Sequence, residues 1–277
     1  MNAQKKWEYF KPVLKTLAWL FTLYIALGVF IAVVSQTAFR QLQVEHLYWS
    51  YDHHLLVLIG VPLLLVLIKQ RRAVTYGLYI NRQAVFCIGV TLALTVLLPI
   101  LVDLAQAKLL FKDKPAGYFF SALFFQLILS GCGEELFFRG LYQGELNRVC
   151  KRKWRIMGER FGPGLLIAAI LFGFGHLGLI GWLAHGNELN PAAFFFTLGV
   201  GLALGFAREA VGCIIVIGFL HGGIDTYQDL ISPSPLARAV HFAGVGFCFW
   251  LVLTDRFGIR NRSHKTGPTH QSQDRSW

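Results

Sequence analysis

The chain has 277 residues, 55% of them hydrophobic and only 15% charged, with a mean hydropathy of +0.52. Soluble domains carry about 25% charged residues, so the composition excludes an ordinary soluble globule and indicates a polytopic membrane protein. The net charge of +11 does not form a nucleic-acid surface, because the cations are divided among short segments between apolar runs.

In chain order, eight apolar stretches approach the roughly 20 residues that cross a bilayer: 13–34, 55–68, 84–102, 118–139, 164–183, 192–207, 211–224 and 239–253. The first exceeds the apolar core of a secretory signal and reads as a retained span. The second is short, and either begins earlier, within "LYWSYDHH", or is re-entrant. The seventh reaches full length only by taking in His221 and, at its end, Asp225. Only Arg208, Glu209 and Ala210 are left to join the sixth and seventh, and Gly199, Gly201 and Gly205 suit close helix packing there.

Charge gives an independent test. With the N-terminus inside, twenty Lys and Arg fall in inner segments and five in outer ones, and one missed span would invert every count downstream. The expectation is an all-α polytopic membrane protein of about eight transmembrane helices, both termini cytoplasmic. A single membrane domain covers 1–260, and 261–277 is a polar tail of disordered composition. The five cysteines, Cys87, Cys132, Cys150, Cys213 and Cys248, are scattered, odd in number and without a CxxC pair, which leaves neither a disulfide framework nor a zinc finger.

An ionised side chain within a bilayer costs about 2.5–3.5 kcal/mol on insertion scales, so those that remain are functional-site candidates. Away from the span ends they are Glu134, Glu135 and Arg139 on the fourth span, His176 on the fifth, and His221 with Asp225 on the seventh. Glu135 and Arg139, four apart with the acid first, form an intrahelical ion pair of structural kind. Glu134 lies about 100° around the helix from its neighbour and has no sequence-local partner, which suits a proton-exchanging carboxyl. Phe172 and His176 share a face, as do His221 and Asp225. Cys132 is either a histidine-activated nucleophile or a small packing residue. His46, His53, His54, His185 and His241, in loops or near span ends, are assigned no chemistry.

Three motifs in order, EExxxR (Glu134, Glu135, Arg139), FxxxH (Phe172, His176) and HxxxD (His221, Asp225), resemble the CPBP family, also called the Abi or type II CAAX endopeptidase family of intramembrane proteases. The resemblance implies eight helices and an intramembrane endopeptidase acting on a membrane-associated polypeptide. It further implies that Glu134 and His176 activate a water, that His221 and Asp225 stabilise the oxyanion, and that Phe172 lines the substrate cavity. An ionised Asp225 would repel an oxyanion. It is therefore protonated, or orients His221, or Glu134, His176, His221 and Asp225 hold zinc with water in the open position; the metal-free glutamate route is preferred. The alternatives are a proton- or metal-coupled transporter, which also places acids and imidazoles inside a membrane, and a non-catalytic immunity or adaptor protein that sequesters a peptide. The bilayer is the expected partner, nucleic acid is not, and the expected location is a bacterial-type cytoplasmic membrane.

Overall fold

The computed structural model describes residues 3–69, 73–108, 112–150, 154–156, 159–179, 186 and 188–259. In order these form α1 (Ala3–Ser35), α2 (Ala38–Leu47), α3 (Tyr51–Ile68), α4 (Arg82–Ala105) and α5 (Ala116–Val149). A two-stranded hairpin follows, β1 (Trp154–Ile156) and β2 (Glu159–Phe161), then α6 (Pro163–His176), α7 (Pro191–Val211), α8 (Ile214–Leu230) and α9 (Pro235–Leu253). Helix occupies each of the eight apolar stretches. Among the described residues six helices are long and apolar enough to cross a bilayer, the first of them as Phe10–Ser35 within α1. The other two are shorter, α6 with 14 residues and α8 with 17.

Local chemistry sets the helix starts. The side chains of Asn81, Asn190 and Ser234 accept from the backbone N–H groups of Ala84, Ala193 and Ala237, relieving the orphan donors of α4, α7 and α9. Proline opens α6, α7 and α9, where its missing N–H costs nothing.

Two sequence expectations are corrected, and one left open is decided. Of the two readings of the second span, α3 follows the earlier start, at Tyr51. The sixth span runs through Arg208, Glu209 and Ala210 to Val211, and the turn is made instead by Gly212 and Cys213. Gly212 adopts a left-handed φ of 74° and its N–H donates to Arg208 O at 2.8 Å, the usual glycine stop of a helix. The fifth span stops at His176 rather than 183, and residues 180–185, with His185, lie outside the described residues. The all-α expectation holds but for the short hairpin, in which Trp154 pairs with Phe161, and Phe161 packs on Phe206 of α7. Arg71, Arg72, Lys151, Arg152, Lys153, Arg260 and the tail 261–277 lie outside the described residues as well.

Rows of apolar side chains face outward, as a lipid boundary requires; on α1, Phe21, Ile25 and Val29, one turn apart, are 60%, 50% and 58% exposed. The polar groups gather inside. Helix α8 is central and packs against α4, α5, α7 and α9. Its contact with α5 is made by glycines. A Cβ on Gly218 would lie 2.7 Å from Cys132 Cα, and one on Gly131 would lie 2.8 Å from Gly222 N, so the two backbones touch where side chains would hold them apart. Cys132 is accordingly a neighbour in this seam. Between α6 and α7, Gly201 abuts Phe172 and Ala169, and Gly205 abuts Leu165, whereas no described residue comes within 4 Å of a Cβ at Gly199.

The seam gives a direct prediction. Gly218→Ala is expected to destabilise by about 1–3 kcal/mol through overpacking and to lower the thermal unfolding midpoint in detergent. Gly246→Ala on α9, where no described residue lies within 4 Å of the new methyl, should leave the midpoint unchanged or raise it. Equal midpoints for the two variants would contradict the contact.

Candidate active site

The site is built where α5 changes pitch. Phe125–Cys132 and Leu136–Gln143 are π-helical and flank a short α-helical turn, Gly133–Glu135. Such wide turns carry one extra residue and redirect the side chains around them. Glu134 and Glu135 therefore leave the helix toward different neighbours.

Glu135 is fully buried and is shared. Its Oε1 lies 3.1 Å from Arg139 Nη1 and 3.0 Å from His221 Nδ1. The expected intrahelical pair is present, but it does not close on itself, because a histidine from α8 takes the same oxygen. A carboxylate only accepts, so Nδ1–H of His221 donates to it and the ring is fixed with Nε2 toward Asp225 Oδ2, 3.5 Å away. Asp225 thus stands beside His221, while its side chain keeps 37% exposure.

Arg139 is 0% exposed. Its Nη2 donates to Gly201 O at 3.2 Å, and its guanidinium lies 4.4 Å from the centre of the Phe172 ring. Phe172, expected to line a substrate cavity, is 1% exposed and fills the space between charged and imidazole groups. His176 sits 4.6 Å from it and His221 5.7 Å. One buried aromatic ring therefore joins α5, α6 and α8. His176 ends α6, exposed, with Nδ1 2.9 Å from Phe172 O; a carbonyl only accepts, so Nδ1 carries the proton and Nε2 holds the lone pair.

Glu134 has different company. Contrary to the sequence expectation it has a local partner, Ser130, whose Oγ donates to Oε1 at 3.2 Å. The same oxygen is 3.8 Å from Nε2 of His54 on α3. Its second oxygen, Oε2, is buried with no hydrogen-bond partner among the described residues. No ion pair joins Glu134 to His176 or His221, but both imidazoles lie within its electrostatic reach, and Asp225 lies within reach of all three. Among the described residues no three His, Cys, Asp or Glu side chains converge as a metal-ligand set. The donors offered to zinc by the sequence fit it poorly as they stand, since His221 meets a carboxylate at each nitrogen.

His54 is the residue that sequence reasoning passed over. It lies near the start of α3, and depth along a span gave no sign that it would meet Glu134. His241, also assigned no chemistry, is fully buried with Nδ1 2.6 Å from Thr95 O and its ring stacked on Tyr227.

Residues 116–227 match the family model described as Rce1-like, type II CAAX prenyl endopeptidase. No curated protein and no solved structure matches the chain. The resemblance carried by the three motifs is thus an observed match from the start of α5 into α8, and with six bilayer-length apolar helices it describes an integral membrane protein.

Proposed function

We propose, from the match of α5 through α8 to type II CAAX prenyl endopeptidases, that the chain is an intramembrane endopeptidase that hydrolyses a peptide bond near the end of a membrane-associated polypeptide. The observation that carries this reading is that the three motif-bearing helices meet side chain to side chain: His221 of α8 against Glu135 of α5, and against Phe172 of α6.

In the mechanism, Glu134 is the general base. Its unpartnered Oε2 takes a proton from a water as the water oxygen attacks the scissile carbonyl. His176, its Nδ1–H tied to Phe172 O, presents Nε2 to the same water and fixes its direction. The carbonyl π electrons move onto oxygen, and that developing oxyanion takes the Nε2–H of an imidazolium at His221, whose Nδ1–H stays on Glu135. Glu134 then returns its proton to the leaving amine as the C–N bond breaks. Asp225, 3.5 Å from that Nε2, keeps His221 in its protonated form and is not itself a donor to the oxyanion. No step is routed through zinc. Both termini are proposed to be cytoplasmic, in a bacterial-type inner membrane.

The test is a quenched fluorogenic peptide ending in a prenylated Cys-aliphatic-aliphatic-X sequence, added to purified protein in detergent. Cleavage within that tail is expected, and His176→Ala should lower kcat by about 10²–10⁴ with KM within a few-fold. Ion or proton flux into proteoliposomes without any proteolysis would replace the enzyme with a carrier.

A further inference from the structure

The three motifs leave out α3, yet α3 reaches the proposed base. His54 is 7% exposed, and two contacts hold its ring. Nδ1 lies 3.1 Å from Ser50 O, and the ring packs 4.5 Å from that of Phe125 on α5. The carbonyl can only accept, so Nδ1 carries a proton and the lone pair of the neutral ring is on Nε2. That nitrogen is the one 3.8 Å from Glu134 Oε1. The separation exceeds a hydrogen bond and is within the range where an imidazolium and a carboxylate attract. Contacts of this length in an unliganded enzyme tighten when substrate excludes water.

The two oxygens of Glu134 are therefore unequal. Oε1 faces Ser130 and His54, and Oε2 is buried without a partner among the described residues. We propose that His54 is a positioning residue for Glu134: the two share one proton across the Nε2–Oε1 gap, so that Oε1 is engaged and Oε2 is the oxygen presented to the reacting water. The inference rests on the reading of Glu134 as a general base, and it adds a fourth helix to the site. With His54 neutral, the pair is completed by a carboxylic acid at Glu134. With His54 protonated, it is completed by a carboxylate. Either way the pair holds a single proton, and the second state is the one competent to take a proton from water.

The pair is not isolated. His53, with its ring 4.0 Å from that of His54, is 3.2 Å from Arg40 Nη2 and 3.7 Å from Asp52 Oδ1, and Arg40 pairs with Asp52 at 2.7 Å. On the other side, Glu134 feels His176 on α6 and His221 on α8, with Asp225 next to the latter and Glu135 one residue along α5. These groups set the background against which removal of His54 is read.

A structural role alone, aromatic packing against Phe125, predicts something different, and the experiment separates the two. In the full-length protein in detergent, His54→Gln is expected to lower kcat for the prenylated peptide by about 10–100-fold, to leave KM within about two-fold, and to move the limb of the kcat–pH profile that reports the base. In His54→Ala, added imidazole should restore part of the lost rate, and it should restore none in Glu134→Gln. Phe125→Leu, which loosens the packing but leaves the proton pair, should not move the pH profile. His54→Asn serves in place of the glutamine if that variant does not fold. A wild-type kcat and profile in His54→Gln overturns the proposal, as does a profile moved equally by Phe125→Leu. A second readout needs no proteolysis. The infrared carboxyl band that Glu134→Gln removes should titrate at a different pH in His54→Gln. If the wild-type protein cleaves no peptide, the hydrolytic reading fails, and the band alone decides: a moved midpoint keeps the shared proton, and an unmoved one overturns it.

Discussion

Glu134→Gln is expected to abolish cleavage of the prenylated peptide, with a loss of about 10²–10⁴ in kcat, while the protein folds, melts and binds substrate as the wild type does. The substitution is close to isosteric. The amide oxygen can still accept from Ser130 Oγ, now 3.2 Å from Oε1, and the helix is undisturbed. What disappears is the ability of Oε2 to take a proton. Glu134→Asp is a finer probe: it keeps the base but retracts it by about one bond, and misplacement on the order of 1 Å costs about 10²-fold. Single-turnover assays on the three proteins check the ranking. Near-wild-type cleavage by Glu134→Gln would remove the base from the mechanism.

Glu135→Ala should act on a different property, stability. Arg139 and Glu135 are each 0% exposed, so deletion of the carboxylate leaves a guanidinium buried with one backbone acceptor, Gly201 O, and one aromatic face, Phe172. Breaking a buried ion pair from one side costs about 3–5 kcal/mol, which is a large part of the stability of a typical domain. His221 loses its Nδ1 partner at the same time. Replacing both members, as Glu135→Met with Arg139→Met, is expected to recover most of the folding loss, because an apolar pair of similar volume avoids the desolvation cost. It should not recover cleavage, since His221 still lacks the oxygen that fixes its ring. Thermal melts in detergent paired with peptide cleavage give both quantities. A single mutant that melts with the wild type would show that the buried charge is not strained by losing its partner.

What could be read in the sequence, and what could not, divides by distance along the chain. The eight apolar stretches locate the helices, because twenty or so residues without charge have few other uses in water or lipid. Pairs four apart, Glu135 with Arg139 and His221 with Asp225, were legible because a single helix fixes their geometry. Some signals were present and unread. Gly212 marks the end of α7 two residues beyond the expected connector, and Thr37 caps the short helix α2, whose Arg40 N–H it accepts, although α2 is too polar to register as a span. The contacts across helices were not legible at all. Nothing in the spacing of His221 says that it will share an oxygen with Arg139, and nothing in the spacing of His54 says that it will face Glu134; both follow from rotation and depth of separate rods, which a one-dimensional pattern does not record.

The glycine seam between α5 and α8 bears on how this site behaves in different membranes. Rods that meet through long side chains have a compressible layer between them, and a thicker or thinner bilayer tilts such rods against one another. Gly131, Gly218 and Gly222 leave no such layer: main chain rests on main chain immediately beside Glu134, Glu135 and His221. Thickness changes should therefore be taken up by the peripheral helices, α1 being the least buried of the six that can span, with the spacing of acid and imidazole expected to stay the same from one lipid to another.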